Sequence, residues 1–195
     1  MSDIKVKSVS GIILAGGRGR RVGGLDKGLL KFKGDELIKH QVRWLSPQVD
    51  ELLISANRNL EHYKSFGYPV VSDSDQNFNG PLAGILEGLK NCTNDWLFTT
   101  PVDVPCLPDD LLTKFFNEFG CRAQVGYLKT NTRDHYLNML VNKSSIGLLE
   151  KACDHGRLRV RDFLSSADAV PIDLGLDEVY FSNLNNLEQY DFPTK

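Results

Sequence analysis

The sequence predicts an α/β domain in three layers, with helices on both faces of a mostly parallel sheet. Two observations lead there. Short apolar runs rich in branched residues, bounded by turn residues, alternate with segments of helical period. The alternation recurs about four times before the pattern loosens, which is the signature of strands joined by crossover helices. A third observation sets the domain count. The 195 residues contain no Pro/Gly/Ser linker, repeat or low-complexity tract, so 1–195 reads as a single domain.

Ser8 to Leu14 is the first buried strand, and Lys27 to Phe32 is a second short extended piece. Leu37 to Leu45 carries apolar residues at helical spacing and is closed by Pro47. Glu51 to Ala56 is a strand, Leu60 to Phe66 a short helix ending at Gly67, and Pro69 to Asp73 a strand. Leu82 to Leu89 is a helix launched from Gly80-Pro81, followed by the strand Asp95 to Thr100. Pro101 and Pro105 break the chain before a helix from Asp109 to Phe119. Ala123 to Lys129 and Leu137 to Val141 read as strands around a polar loop, Thr130 to Asp134. Helices at Ser145 to Ala152 and Arg159 to Leu164, a strand at Ala169 to Asp173 and a helix at Asn186 to Tyr190 complete the reading.

A formal net charge of -2 gives no basis for wholesale binding to nucleic acid or to an acidic membrane. The four cysteines, Cys92, Cys106, Cys121 and Cys153, show no C-x-x-C spacing and read as reduced thiols. The N-terminal residues are polar, and no apolar run is long enough to span a bilayer. A cytoplasmic protein, acting as a monomer, is the expectation.

In parallel sheets ligands sit beyond the carboxyl ends of the strands. Four places qualify here: the loop after Leu14, the stretch Ser55-Ala56-Asn57-Arg58, Asp73, and Val102-Asp103. The first is the most distinctive. Strand one empties into Gly16-Gly17-Arg18-Gly19-Arg20-Arg21-Val22-Gly23-Gly24, with Lys27 close behind. Glycines let backbone N–H groups converge on phosphate oxygens, and Arg and Lys neutralise their charge. The loop is neither a Walker A motif nor a dinucleotide fingerprint, since it lacks G-x-x-x-x-G-K-[ST] and a third glycine in the second pattern. A tight turn with solvated arginines is the alternative. Its position after the first strand, with Lys27 nearby, favours a nucleotide phosphate site.

Leu14-Ala15-Gly16-Gly17, Arg21-Val22-Gly23 and Asp26-Lys27 together resemble the signature of Rossmann-like nucleotidyltransferases. Ser55-Ala56-Asn57-Arg58, Gly80-Pro81-Leu82-Ala83-Gly84, Pro101-Val102-Asp103-Val104-Pro105, Arg133-Asp134-His135 and Asn183-Leu184-Asn185 narrow the resemblance to the molybdenum cofactor guanylyltransferases. The resemblance implies transfer of GMP from GTP to molybdopterin, giving molybdopterin guanine dinucleotide and pyrophosphate. It further implies backbone contacts to nucleotide from Leu14, Ala15, Gly16 and Gly17, with Arg21 and Lys27 on the triphosphate. Ser55, Asn57 and Asp73 would meet the nucleotide, and Pro81, Leu82, Ala83 and Gly84 would wrap guanine. Asp103 would hold Mg²⁺, so Arg21, Lys27 and Asp103 form the catalytic set. Arg133, Asp134, His135, Arg159, Asn183 and Asn185 would serve the acceptor in the C-terminal half. Apo molybdoenzymes or their chaperones would be the implied protein partners.

These residue types suit the chemistry. An acceptor that is already a phosphate anion needs in-line positioning and cancellation of charge more than a general base. Bland readings stand beside each candidate. Asp103 could be a turn carboxylate, Asp73-Ser74-Asp75 a polar turn, Asp26-Lys27 a surface ion pair, and Arg157, Arg159 and Arg161 a solvated helix start. The chain departs from the family at Ser55, where Asn is common, at Val22 in place of Met, and at Tyr136-Leu137-Asn138, where Pro-Thr usually follows the Arg-Asp-His stretch. The competing functions are another acceptor on the same fold (a sugar or polyol phosphate), a CTP-dependent cytidylyltransferase, and a non-catalytic GTP-binding carrier.

Overall fold

Residues 8–17, 23–73, 80–154 and 159–184 are described by the structure, a computed structural model. Nine strands are present among them: β1 (Val9–Leu14), β2 (Lys31–Phe32), β3 (Asp35–Glu36), β4 (Glu51–Ser55), β5 (Val70–Val71), β6 (Trp96–Pro101), β7 (Val125–Lys129), β8 (Asp134–Asn142) and β9 (Val170–Asp173). Six α-helices accompany them: α1 (Leu37–Leu45), α2 (Leu60–Lys64), α3 (Pro81–Asn91), α4 (Leu111–Phe119), α5 (Ile146–Asp154) and α6 (Val160–Ser166). Seven strands form one sheet in the order β5-β4-β1-β6-β8-β7-β9. β5, β4, β1 and β6 run parallel, β8 runs antiparallel to both its neighbours, and β7 pairs parallel with β9.

The side-chain period of a strand explains the layering. Ile13, Leu52, Ile54, Phe98 and Leu140 face one core with α1, α2 and α4. Their sequence neighbours Ile12, Leu53, Leu97, Met139 and Val141 face the other, with α3, α5 and α6. Buried on both faces, the central strands read as continuous apolar runs, as the sequence suggested. α3 lies close to the sheet because glycines face it. A Cβ at Gly88 would come within 2.7 Å of the Ile12 side chain, and one at Gly84 within 2.4 Å of Ser55 Oγ.

Two local expectations change. Lys27 to Phe32 is not one extended piece. Asp26 caps a 3-10 turn, Lys27–Leu29, by accepting from the Gly28 N–H, and only Lys31–Phe32 is strand. A tight turn through Lys33 and Gly34, both at positive φ, returns the chain to β3. Second, Asp134 and His135 do not lie in a loop. They open β8, which is longer than Leu137 to Val141, and the connecting turn shrinks to 130–133. Its register jumps, from Tyr127 opposite Met139 to Leu128 opposite His135, so Tyr136, Leu137 and Asn138 form a bulge. Asn183 follows a 3-10 turn, Glu178–Phe181. The expected helix from Asn186 to Tyr190 lies outside the described residues.

Candidate functional site

Register brings the strand ends into line. Leu14 is opposite both Ser55 and Pro101, and Ser55 is opposite Val71. The residues that follow β1, β4, β5 and β6 therefore share one edge of the sheet, as the sequence reading expected. Backbone bonds tie the exits together: Ala15 N to Ser55 O at 2.8 Å, Val102 N to Leu14 O at 3.2 Å and Ala56 N to Val71 O at 3.0 Å.

The centre of this edge is an ion pair. Lys27 Nζ lies 2.8 Å from Asp103 Oδ2, and both side chains are mostly shielded, at 19% and 14% exposure. The two residues are 76 positions apart in sequence. Lys27 opens the 3-10 turn and Asp103 follows β6. The β6 exit is steadied from beneath, where Gln41 Nε2 donates to Val104 O and Trp44 Nε1 to Pro108 O. Leu184 N donates to Asp103 O at 2.9 Å, which brings the Asn183–Leu184 segment to the same loop.

Beside this pair, Asn57 and Asp73 form a reciprocal clasp. Asn57 Nδ2 donates to Asp73 Oδ2 at 2.8 Å, and Asp73 N donates to Asn57 Oδ1 at 2.9 Å. Burial pushes the Asp73 carboxyl above its usual range, against the Asn57 hydrogen bond that pulls it down. Ser55, the last residue of β4, is buried against Gly84. Gly80 and Pro81 begin α3 at this edge. Leu82 and Ala83 bury their side chains in the core, so the polar groups they offer at the edge are backbone N–H groups of the first helical turn.

Sequence reasoning named Asp26 and Arg58 only as parts of motifs, and did not see what joins them. Asp26 is 8% exposed. Its Oδ1 accepts from Tyr63 OH at 2.7 Å and Gly28 N at 3.2 Å, and its Oδ2 from Asn59 Nδ2 at 2.9 Å. Arg58 Nε lies 3.6 Å from Oδ2. The same guanidinium donates to three carbonyls, Gly24 at 2.6 Å, Leu25 at 2.7 Å and Gly17 at 3.2 Å. Burial, reinforced by Asp26, drives the Tyr63 phenol far above its usual range. The sequence signals for Arg58 were its place just after a strand's carboxyl end and its membership of the Ser55-Ala56-Asn57-Arg58 stretch.

Of the expected acceptor residues, Arg133, Asp134 and His135 lie where β7 ends and β8 begins, on the adjoining stretch of the edge. Glu178 is the organiser there, and nothing in the sequence marked it. Its Oε2 accepts from Thr130 Oγ1 at 2.6 Å and Thr132 Oγ1 at 3.1 Å, and lies 3.2 Å from His135 Nε2. His135 stacks on Phe181 with centroids 4.1 Å apart. Burial holds its imidazole below the usual pKa despite Glu178. Tyr136 OH donates to Asp134 Oδ2 at 2.9 Å, and Arg133 is exposed. An open depression of about 510 Å³ is lined by Lys129, Asn131, Thr132, Arg133, Asp134 and Tyr136. Arg159 is exposed at the N-cap of α6. Arg21, Arg157 and Asn185 lie outside the described residues.

Among the described residues, no group of three or more His, Cys, Asp or Glu side chains is placed to hold a metal. Asp103 offers a single carboxylate. Such a donor set would suit a Mg²⁺ ion completed by substrate phosphates and water, and not an all-protein cage.

Comparison with known proteins gives the family and the fold. Residues 11–170 match the model of the MobA-like NTP transferase domain. A molybdenum cofactor guanylyltransferase of Mannheimia succiniciproducens is 38% identical over 188 residues, which span 95% of this chain and 98% of that protein. One of Ralstonia pickettii is 54% identical over 111 residues, spanning 57% of this chain and 54% of that protein. Among solved structures, molybdopterin-guanine dinucleotide biosynthesis protein A of Archaeoglobus fulgidus superposes with a TM-score of 0.77 at 20% identity, covering 92% of this chain and 94% of that one, a likeness of fold.

Proposed function

The chain belongs to the MobA-like NTP transferase family, and from that membership we propose that it transfers GMP from GTP to molybdopterin. An oxygen of the molybdopterin phosphate attacks the α-phosphorus of GTP. A new P–O bond forms, the α–β bond breaks, and pyrophosphate leaves with the electron pair. The product is molybdopterin guanine dinucleotide.

The observation that carries this reading is the Lys27–Asp103 pair, set at the carboxyl edge between the glycine segment and the β6 exit. A lysine and a carboxylate at one point supply what a triphosphate needs: a cation for its oxygens and an anchor for its counter-ion. Lys27 would move from Asp103 to the β- and γ-phosphates. Mg²⁺, held by Asp103 and the phosphates, would supply charge neutralisation at the α-phosphate and at the departing pyrophosphate. Backbone N–H groups at the start of α3 and the chain at Leu14 to Gly17 would hold the base and the phosphates, with Ser55, Asn57 and Asp73 beside them. The acceptor would lie toward Arg133, Asp134, His135 and Asn183, over the depression at the β7–β8 turn. Arg21, Arg159 and Asn185 complete the proposed set. All four cysteines are free thiols, which supports a reducing, cytoplasmic setting.

Asp103→Ala tests the core of the proposal. The side chain is mostly shielded and paired with Lys27, so removing it should lower the melting temperature while the protein stays folded, which circular dichroism checks. Turnover with GTP and molybdopterin should fall about a hundredfold or more. Normal turnover would refute the assignment. Titration with GTP, ATP, CTP and UTP, each with and without Mg²⁺, tests the base. Selective stabilisation by Mg-GTP is expected, and a preference for CTP would point to cytidylyl transfer.

A further inference from the structure

We propose that Arg58 is a positioning residue that sets Lys27 for the nucleotide, acting through the carbonyls of Gly17, Gly24 and Leu25 and through Asp26. The inference rests on the nucleotide role of Lys27 above.

Arg58 gathers in one guanidinium the two ends of the segment between Gly17 and Leu25. Nη2 holds the Gly17 carbonyl, where β1 lets the chain go, together with the Leu25 carbonyl, and Nη1 holds the Gly24 carbonyl, where the chain returns. Gly23 and Gly24 reach that return at φ +67° and +81°, a conformation that glycine adopts without strain. Three carbonyls at fixed angles need a planar, multiply donating cation. An ammonium on a flexible stem cannot replace it.

The second arm of the device is Asp26. A carboxylate this buried needs a cation or several donors. It has Tyr63, Asn59 and the Gly28 amide, with Arg58 as the adjacent charge. By accepting from Gly28 N, Asp26 caps the turn that starts at Lys27. The turn is also wedged from behind, since a Cβ at Gly28 would fall 2.3 Å from Tyr63 OH. Arg58 thus fixes the direction from which the chain enters Lys27, and Asp26 fixes the direction in which it leaves. The Lys27 stem is aimed at Asp103 by contacts among protein groups alone. None of these residues needs to meet substrate.

A double-mutant cycle on Mg-GTP affinity separates positioning from general support. The proteins are the parent, Lys27→Ala, Arg58→Lys and the double variant, with Tyr63→Phe as a milder break of the Asp26 arm. Arg58→Lys keeps the charge that Asp26 needs, so the fold should survive. It should weaken Mg-GTP binding about tenfold in the parent and by less than about twofold once Lys27 is absent. Tyr63→Phe should show the same dependence with a smaller loss. Equal losses in both backgrounds would overturn the proposal, because Arg58 would then act independently of Lys27. Amide exchange in the nucleotide-free protein gives a second readout. Arg58→Lys should speed exchange at Gly28, Leu29 and Leu30 about tenfold while leaving Ile54 in β4 unchanged. Unchanged exchange at the turn would also overturn it. If Lys27→Ala leaves GTP affinity intact, the nucleotide reading of Lys27 fails, and with it the positioning role. The exchange measurement would still show whether Arg58 holds the turn.

Discussion

Replacing Gly28 by alanine perturbs the turn under Lys27 with a single methyl group, and the structure fixes the size of the effect. The new Cβ would sit 2.3 Å from Tyr63 OH, 3.2 Å from Cζ and 3.3 Å from Cε1. That is about 1 Å too close to the oxygen for van der Waals contact. Tyr63 is wholly buried and has no room to retreat. Either the turn lifts or the phenol leaves Asp26. Loss of a buried hydrogen bond to a carboxylate costs about 1.5–3 kcal/mol. Overpacking adds about 1–3 kcal/mol, and the lower chain entropy of alanine returns roughly 1 kcal/mol. The net is about 3 kcal/mol. For a chain of this size that lowers the melting temperature by roughly 6–12 °C, read by calorimetry or circular dichroism. Tyr63→Phe removes the clashing oxygen, so Gly28→Ala on that background should cost less than about 1 kcal/mol. A Gly28→Ala protein melting within about 1 °C of the parent would refute the reasoning, and so would full additivity with Tyr63→Phe.

Other substitutions test other parts of the fold. Gly126→Ala in β7 drives a Cβ to 2.7 Å and 2.8 Å from the buried Phe119 ring, and should destabilise by about 1–3 kcal/mol in urea unfolding. Asp73 has a folded pKa raised by burial, so its stabilising contribution is complete below the unfolded value of 3.8 and is lost as pH rises through the folded value. Asp73→Asn should therefore be at least as stable as the parent at pH 7, with the advantage vanishing near pH 3 in a stability–pH profile. Asp35 behaves oppositely. Hydrogen bonds from Lys39 and Arg43 lower it to about 2, so its contribution is present above pH 3.8 and is lost as pH falls toward 2. Asp35→Asn should flatten that segment of the acid-unfolding curve.

Much of this architecture was legible because its signals are local. Strands such as Gly11 to Leu14 and Glu51 to Ser55 are apolar on both faces and stop at turn residues, and α3 is announced by Gly80-Pro81. The meeting of four strand exits at one edge followed from topology alone. What escaped depends on contacts that leave no spacing in the chain. The start of β8 looked like loop because Asp134, His135 and Tyr136 are polar or amphipathic, yet a bulge and the Glu178 bonds hold them in the sheet. Lys27 to Leu29 looked extended because the cap that curls it is one side-chain oxygen of Asp26. Arg58 shows its importance only in space, since the carbonyls it holds lie 33, 34 and 41 residues away.

The reversed direction of β8 has a consequence for how such a protein can change. In an all-parallel sheet every connection at the ligand edge leads into or out of a helix, and altering it disturbs a cap and a packed layer. Here one strand turns back, so the edge also carries a simple hairpin tip, at 130–133. A hairpin tip can gain or lose residues at little entropic expense. The half-sheet of β5, β4, β1 and β6, with Lys27 and Asp103 at its end, need not move when it does. The fold thus separates a part in which length is fixed from a neighbouring part in which length is free, both opening onto the same space.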